Sequence, residues 1–165
     1  MLDKNFEPEN PDNLAFATQT TLSVDDTSEI ISILQHRFPK ITGPSGEDIC
    51  YATTIRQNAV KKLAEKSEYF IIIGANNSSN SKRLVEVALK FGAKKAVLIP
   101  DANSLDLNEL RDVSVISISS GASVPEIFVN DLIQKLDDEF EISIQTENSI
   151  KENVTFNLPS ILRGR

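Results

Sequence analysis

Three short apolar runs, YFIIIG at 69–74, KAVLI at 95–99 and VSVISI at 113–118, constrain this chain more than any other feature. None alternates cleanly between apolar and polar residues, as a strand with one wet face would, so each has to be buried on both sides. The stretches between them are too long for hairpins and space their apolar residues as helices do. Strands buried on both faces and joined by helical crossovers make a parallel sheet between helical layers, and the fold class is therefore α/β.

Start and stop signals divide the rest. Residues 1–13 hold two Pro, three Asn and two Asp and read as a loose leader. LAFAT suggests a short strand, followed by a helix capped by Ser23, Asp25 or Asp26, with Ile30, Ile31, Leu34 and Phe38 on its apolar face and Pro39 after its end. The Gly- and Pro-containing ITGPSGED (41–48) marks a boundary. Thr53 or Thr54 is expected to cap a helix through Leu63 and Ala64, and Ser79 or Asn80 to open a helix to Phe91 with Gly92 as its stop. A short helix near Leu105–Leu110 should precede VSVISI, and a helix from Val124 to about Asp137 should follow it. EISIQT suggests one more strand, and ENVTFNLPSIL an extended arm.

The 165 residues, 40% of them hydrophobic, suffice for one core and part of a second. A formal net charge of -7 speaks against a nucleic-acid or anionic-membrane surface, so any phosphate has to be held by local donors. Cys50 is the single cysteine, which excludes an intramolecular disulfide and fits a reducing compartment. No apolar run nears the roughly 18 residues that span a bilayer, and MLDKNFEPENPDN is not signal-like. The expected location is the cytoplasm, or an organelle interior after import.

Candidate chemistry lies where strands end. GANNSSNS (74–81) and SSGASVPE (119–126) leave strands and enter helices, the position at which open parallel sheets bind ligands. A helix N-terminus offers unpaired N–H groups and partial positive charge, and Ser and Asn add neutral donors, so such loops suit an anion. Ser and Asn are also ordinary caps, and Ser123-Val-Pro-Glu126 fits a capping box with Pro in the first turn. Six such residues in a row exceed what capping uses. TQTTLSVDD (18–26) reads as a Ser/Thr turn with a cap. Cys50 precedes a helix N-terminus that would favour a thiolate, although a lone Cys is more often a small core residue. His36 reads as a solvated helix residue. Neither a Walker loop nor a GxGxxG turn is present, which disfavours a general nucleotide-binding domain.

Taken together, TQTTLSVDDTS, FPKITGP, DICYATTIRQNAV, GANNSSNSKRL, SSGASVPE and ENVTFNLPSILR resemble hydroxymethylbutenyl diphosphate reductase, an iron–sulfur family of the non-mevalonate isoprenoid pathway. The resemblance runs from about Leu14 to Arg163 with the elements in the family's order. It implies a three-layer C-terminal α/β lobe over 45–145, part of a second α/β lobe over 14–44, and an extended arm over 146–165. It further implies that Cys50 is the last of three Cys holding a [4Fe-4S] cluster and that Thr20 lies beside the substrate hydroxyl and its proton relay. Ser78, Ser79, Asn80 and Ser123 correspond to the donors that hold the substrate diphosphate.

The implied reaction is reductive dehydroxylation to isopentenyl and dimethylallyl diphosphate, with electrons from a donor such as ferredoxin or flavodoxin. Family members are about twice this length. The other two cluster Cys, two diphosphate-contacting His and a proton-donating Glu have no counterpart here, and one thiolate does not hold a four-iron cluster. The chain is thus expected either to join a separate N-terminal half or to be a truncated diphosphate-binding module or inert relic.

Overall fold

The computed structural model describes residues 6–44 and 48–147. In chain order the elements are α1 (Val24–Arg37), α2 (Tyr51–Ala64), β1 (Tyr69–Ile73), α3 (Ser79–Lys90), β2 (Lys95–Ile99), two 3-10 turns (Ala102–Ser104 and Leu107–Leu110), β3 (Ile116–Ser120) and α4 (Glu126–Glu139).

All five side chains of β1 are buried, as its unbroken apolar sequence requires. The strand is central in a three-stranded sheet ordered β2-β1-β3, pairing parallel with both neighbours from Tyr69↔Lys95 and Tyr69↔Ile116 to Ile73↔Ile99 and Ile73↔Ser120. Alternate residues face opposite layers. Tyr69, Ile71 and Ile73 join Leu132 and Leu136 of α4 together with Leu105 and Leu110, whereas Phe70 and Ile72 join Val60, Leu84 and Val87 of α2 and α3. Each fully buried Ile, Leu or Phe contributes about 1.5–3 kcal/mol by leaving water. The result is a three-layer α/β lobe.

Several boundaries differ from the sequence expectation, each for a local reason. The third strand runs over Ile116–Ser120 rather than 113–118, because Val113 N closes a turn on Leu110 O and Val115 O accepts from Glu68 N and Tyr69 N. The polar Ser119 and Ser120 enter the sheet because β1 pairs with them. The helix near 105–110 is replaced by the two 3-10 turns, whose starts are held by Asp101 and Asp106 carboxylates accepting from nearby backbone N–H groups. LAFAT contributes one bridge, Ala15↔Thr42, and EISIQT forms no strand. Most of the expected arm, from residue 148 on, lies outside the described residues, as do residues 1–5 and 45–47.

Helix α1 is fastened to the lobe at its N-terminal end. Ser23 caps it by accepting from Asp26 N, and the wholly buried Gln57 of α2 accepts from Val24 N at 3.0 Å and donates to Leu22 O at 2.9 Å. Two ion pairs, Lys61–Asp25 and Lys90–Asp26, both at 2.5 Å, tie its first turn to α2 and α3.

The hydrogen bond from Lys90 holds the Asp26 carboxyl below its ordinary value of 3.8, and the same bond raises Lys90 above 10.5. A depressed carboxyl stabilises above its unfolded pKa and loses that effect as pH falls through the folded one. A raised ammonium does the reverse. The attachment should therefore hold between these limits and weaken below about pH 3.8 and above about pH 10.5, and salt should weaken it throughout. Lys90→Met should remove this component from a plot of Tm against pH, an unchanged acid limb being the contrary result.

Candidate functional site

The strand ends meet three helix N-termini. α2 runs back along the sheet before β1, so its start lies at the C-terminal edge, the edge at which α3 and α4 also begin. Arg56 fixes this arrangement: its Nη1 donates to Ser120 O at 3.0 Å and Ser120 Oγ at 3.3 Å, at the end of β3. Cys50 is the N-cap of α2, six residues and about 9 Å along the axis from Arg56, on the rise of 1.5 Å per residue. Its thiol is free and exposed.

Cys50 corrects the expectation that Thr53 or Thr54 caps this helix. Thr53 N and Thr54 N both donate to Cys50 O, so the helix has already begun when the Thr residues are reached. Cys50 N in turn donates to Thr20 O at 3.2 Å, and Thr18 N to Asp48 Oδ2 at 2.7 Å. The TQTT turn and the DIC segment are thereby joined, and exposed Thr20 stands next to Cys50.

The second cluster is built on two glycines. Gly74 N donates to Ile99 O and Gly121 N to Ile73 O, both at 2.9 Å, extending both strand pairings by one residue at the C-terminal edge. A Cβ at either glycine would run into Ser81 Oγ, so the first turn of α3 sits directly over the ends of β1 and β3. Ser78 caps α3, accepting from Ser81 N at 3.2 Å and Ser81 Oγ at 3.0 Å. Ser79 is exposed.

Asn80 is 8% exposed, yet neither its Oδ1 nor its Nδ2 has a hydrogen-bond partner. Its Nδ2 lies 3.7 Å from the point a Gly121 Cβ would occupy. Such a buried amide costs about 1–3 kcal/mol without partners. Ser123 is exposed two residues past Gly121 and does not cap α4: the N-cap is Pro125, without a side-chain bond. The capping box read from the sequence is therefore absent, because Val124 N turns back onto Gly121 O and carries Ser123 away from the helix start. Its hydroxyl is not consumed by capping.

Ser78, Asn80 and the Gly121–Ser123 turn thus share one part of the rim, with Thr20 and Cys50 on the same edge at α2. Sequence reading missed Arg56 and Gln57, and took Ser81 only as one of six polar residues in a row. Gln57 had a signal, since it falls on the buried stripe Thr53, Gln57, Val60, Ala64 at helical spacing, where a polar residue needs a partner. A separate hollow of about 690 Å³ between Asp101–Leu107 and α4 is lined by Asp101, Asp131, Asp138 and Glu139, and its Lys135 is engaged with Ala102 O and Leu105 O. Four carboxylates make that hollow a poor place for an anion.

Residues 2–137 match the family model described as LytB protein. The chain is 49% identical over 159 residues to 4-hydroxy-3-methylbut-2-enyl diphosphate reductase of Bartonella henselae, covering 96% of this chain and 46% of that protein. It is 50% identical over 161 residues to the enzyme of the same name from Gluconobacter oxydans, covering 98% and 48%. The solved E-1-hydroxy-2-methyl-but-2-enyl-4-diphosphate reductase of Plasmodium falciparum superposes with a TM-score of 0.82 at 34% identity, over 90% of this chain and 47% of that one. The chain spans about half the length of the curated relatives it matches.

Proposed function

We propose, from the premise that the chain belongs to the LytB family, that it is the C-terminal part of a hydroxymethylbutenyl diphosphate reductase and that its rim holds the substrate diphosphate. One observation carries this reading: Asn80, buried at the start of α3, with both amide atoms unpartnered. An amide kept out of water at a cost, at a positive helix end beside Ser78 and Ser79, is supported by a ligand that supplies the missing bonds. Ser123 adds a hydroxyl from the neighbouring turn. Three helix N-termini on one edge give the anion its counter-charge in a chain of formal net charge -7.

Thr20, joined through its carbonyl to Cys50 N, is assigned to the substrate hydroxyl end. Cys50 is accessible at the start of α2, where its sulfur is open to a ligand. A [4Fe-4S] cluster needs three or four such ligands, and the described residues contain no group of three or more His, Cys, Asp or Glu placed to hold a metal. The residues present therefore do not fit the whole cluster. Reduction would require further thiolates and an electron donor such as ferredoxin or flavodoxin. The single cysteine equally favours a second reading, a diphosphate-binding module without turnover.

Titration calorimetry of the chain with inorganic pyrophosphate tests the shared part of both readings. Saturable one-to-one binding is expected. Asn80→Leu should weaken it at least tenfold while leaving Tm unchanged or higher, because an unpaired buried amide is removed. Cys50→Ser should not alter it. Absence of heat into the millimolar range, or binding indifferent to Asn80→Leu, would overturn the assignment. Among the described residues no helix is long and apolar enough to cross a membrane.

A further inference from the structure

The peptide group between Ser120 and Gly121 is gripped from both sides. In a trans peptide the N–H and the C=O point in opposite directions. Gly121 N donates inward to Ile73 O at 2.9 Å, so Ser120 O points outward from β3, which lies at the edge of the three-stranded sheet with β1 as its neighbour. An edge carbonyl ordinarily turns to water or to a further strand. Here Arg56 of α2 takes it instead: Nη1 donates to Ser120 O at 3.0 Å and to Oγ of the same buried serine at 3.3 Å.

This grip governs the turn that follows. Val124 N closes on Gly121 O at 3.0 Å, so residues 121–124 follow the Ser120–Gly121 plane as one piece and carry the exposed Ser123 with them. Ser81 Oγ and Asn80 Nδ2 of α3 stand against Gly121 from the other direction. The span between Ser123 and the start of α3 is thus set by Arg56 on one side and by α3 on the other. Arg56 is half-buried, and no carboxylate among the described residues pairs with its guanidinium, so no ion pair accounts for its place there.

We infer that Arg56 is a positioning residue of the diphosphate rim: by orienting the Ser120–Gly121 peptide it fixes the separation of Ser123 from Ser78 and Asn80, and so favours an anion with two phosphoryl groups over an anion with one. The inference rests on the diphosphate reading and deepens it. Pyrophosphate reaches both sides of the rim, whereas orthophosphate fills the α3 end alone, where helix N–H groups, Ser79 and Asn80 suffice. A fixed span matters little to the smaller anion and much to the larger one, which otherwise has to order the turn as it binds.

The test is calorimetry of the full chain with pyrophosphate and with orthophosphate, on wild type, Arg56→Met and Arg56→Lys, together with hydrogen exchange before any anion is added. Methionine keeps most of the apolar stem and removes the donors, while lysine keeps the charge but ends about one bond short of Ser120. In both variants pyrophosphate affinity should fall at least tenfold and orthophosphate affinity less than threefold. The amides of Gly121 and Val124 should exchange at least tenfold faster, with helical circular dichroism unchanged. Wild-type pyrophosphate affinity in Arg56→Lys would show that charge suffices, equal losses for the two anions would show a general effect, and unaltered exchange at Gly121 would show that the peptide is held without Arg56. Each of these, or equal affinity of the wild type for both anions, overturns the inference. A wild-type chain that binds neither anion overturns the diphosphate reading itself, a result distinct from wild-type binding that the variants leave unchanged.

Discussion

Gly74→Ala should lower both stability and pyrophosphate affinity, and adding Ser81→Ala should not restore either. The new methyl would meet Ser81 Oγ and stand 2.7 Å from Ser81 Cβ, with Leu98 Cδ1 at 3.5 Å closing the other side. No side-chain rotation moves a Cβ, so the start of α3 has to lift from the strand ends. Overpacking of this kind costs about 1–3 kcal/mol. The same displacement carries Ser78 and Asn80 off the rim, and an affinity loss of at least tenfold is expected.

Gly121→Ala separates hydroxyl from backbone. There the close contact is with Ser81 Oγ, while Val124 Cγ2 and Asn80 Nδ2 stand at ordinary separations of 3.5 and 3.7 Å. Adding Ser81→Ala should thus recover most of the loss caused by Gly121→Ala and none of that caused by Gly74→Ala. Urea unfolding and calorimetry on the single and double variants measure the coupling. Equal rescue at both glycines would show that α3 is not seated between these strand ends as described.

What the sequence revealed of this arrangement follows from how local each cause is. KAVLI coincides with β2 residue for residue and YFIIIG with β1 except for Gly74, because a continuous apolar run carries its own signal, although only β1 is buried throughout: in β2 Lys95 is exposed and Ala96, Val97 and Leu98 are half-buried. β3 was misplaced because its register is imposed by β1, which pairs Ile72 and Ile73 with Ser119 and Ser120. VSVISI looked more strand-like than the ISISS that forms. The polar loops were legible as an anion rim from residue type and position, yet Asn80 as an orphaned amide was not. Its place beside the Gly121 turn is a relation between segments far apart in sequence. Cys50 as the α2 cap was hidden by two threonines with better capping propensity.

Gln57→Leu is expected to cost the chain about 2–6 kcal/mol, concentrated at the joint between α1 and the three-layer lobe. Leucine is one bond shorter than glutamine but comparable in volume, so no large cavity is opened. What is lost is the acceptor for Val24 N and the donor for Leu22 O, two partly buried main-chain groups that each cost about 1–3 kcal/mol unpaired. The ion pairs Lys61–Asp25 and Lys90–Asp26 are too exposed to replace them. Hydrogen exchange should therefore speed up across Leu22–Thr27 while β1 stays protected.

Because Thr20 lies two residues before Leu22, the loosened turn should also free the Cys50 amide from Thr20 O. Gln57→Glu adds a direction that simple loss of packing lacks. The introduced carboxyl can accept from Val24 N when ionised, but only its protonated form can donate to Leu22 O, and burial raises its pKa. Its stability deficit should shrink as pH is lowered from 7 toward about 5, a range in which the depressed Asp26 remains ionised and the α1 ion pair stays intact. A deficit that is constant with pH would mean that Gln57 acts through shape and not through its two hydrogen bonds.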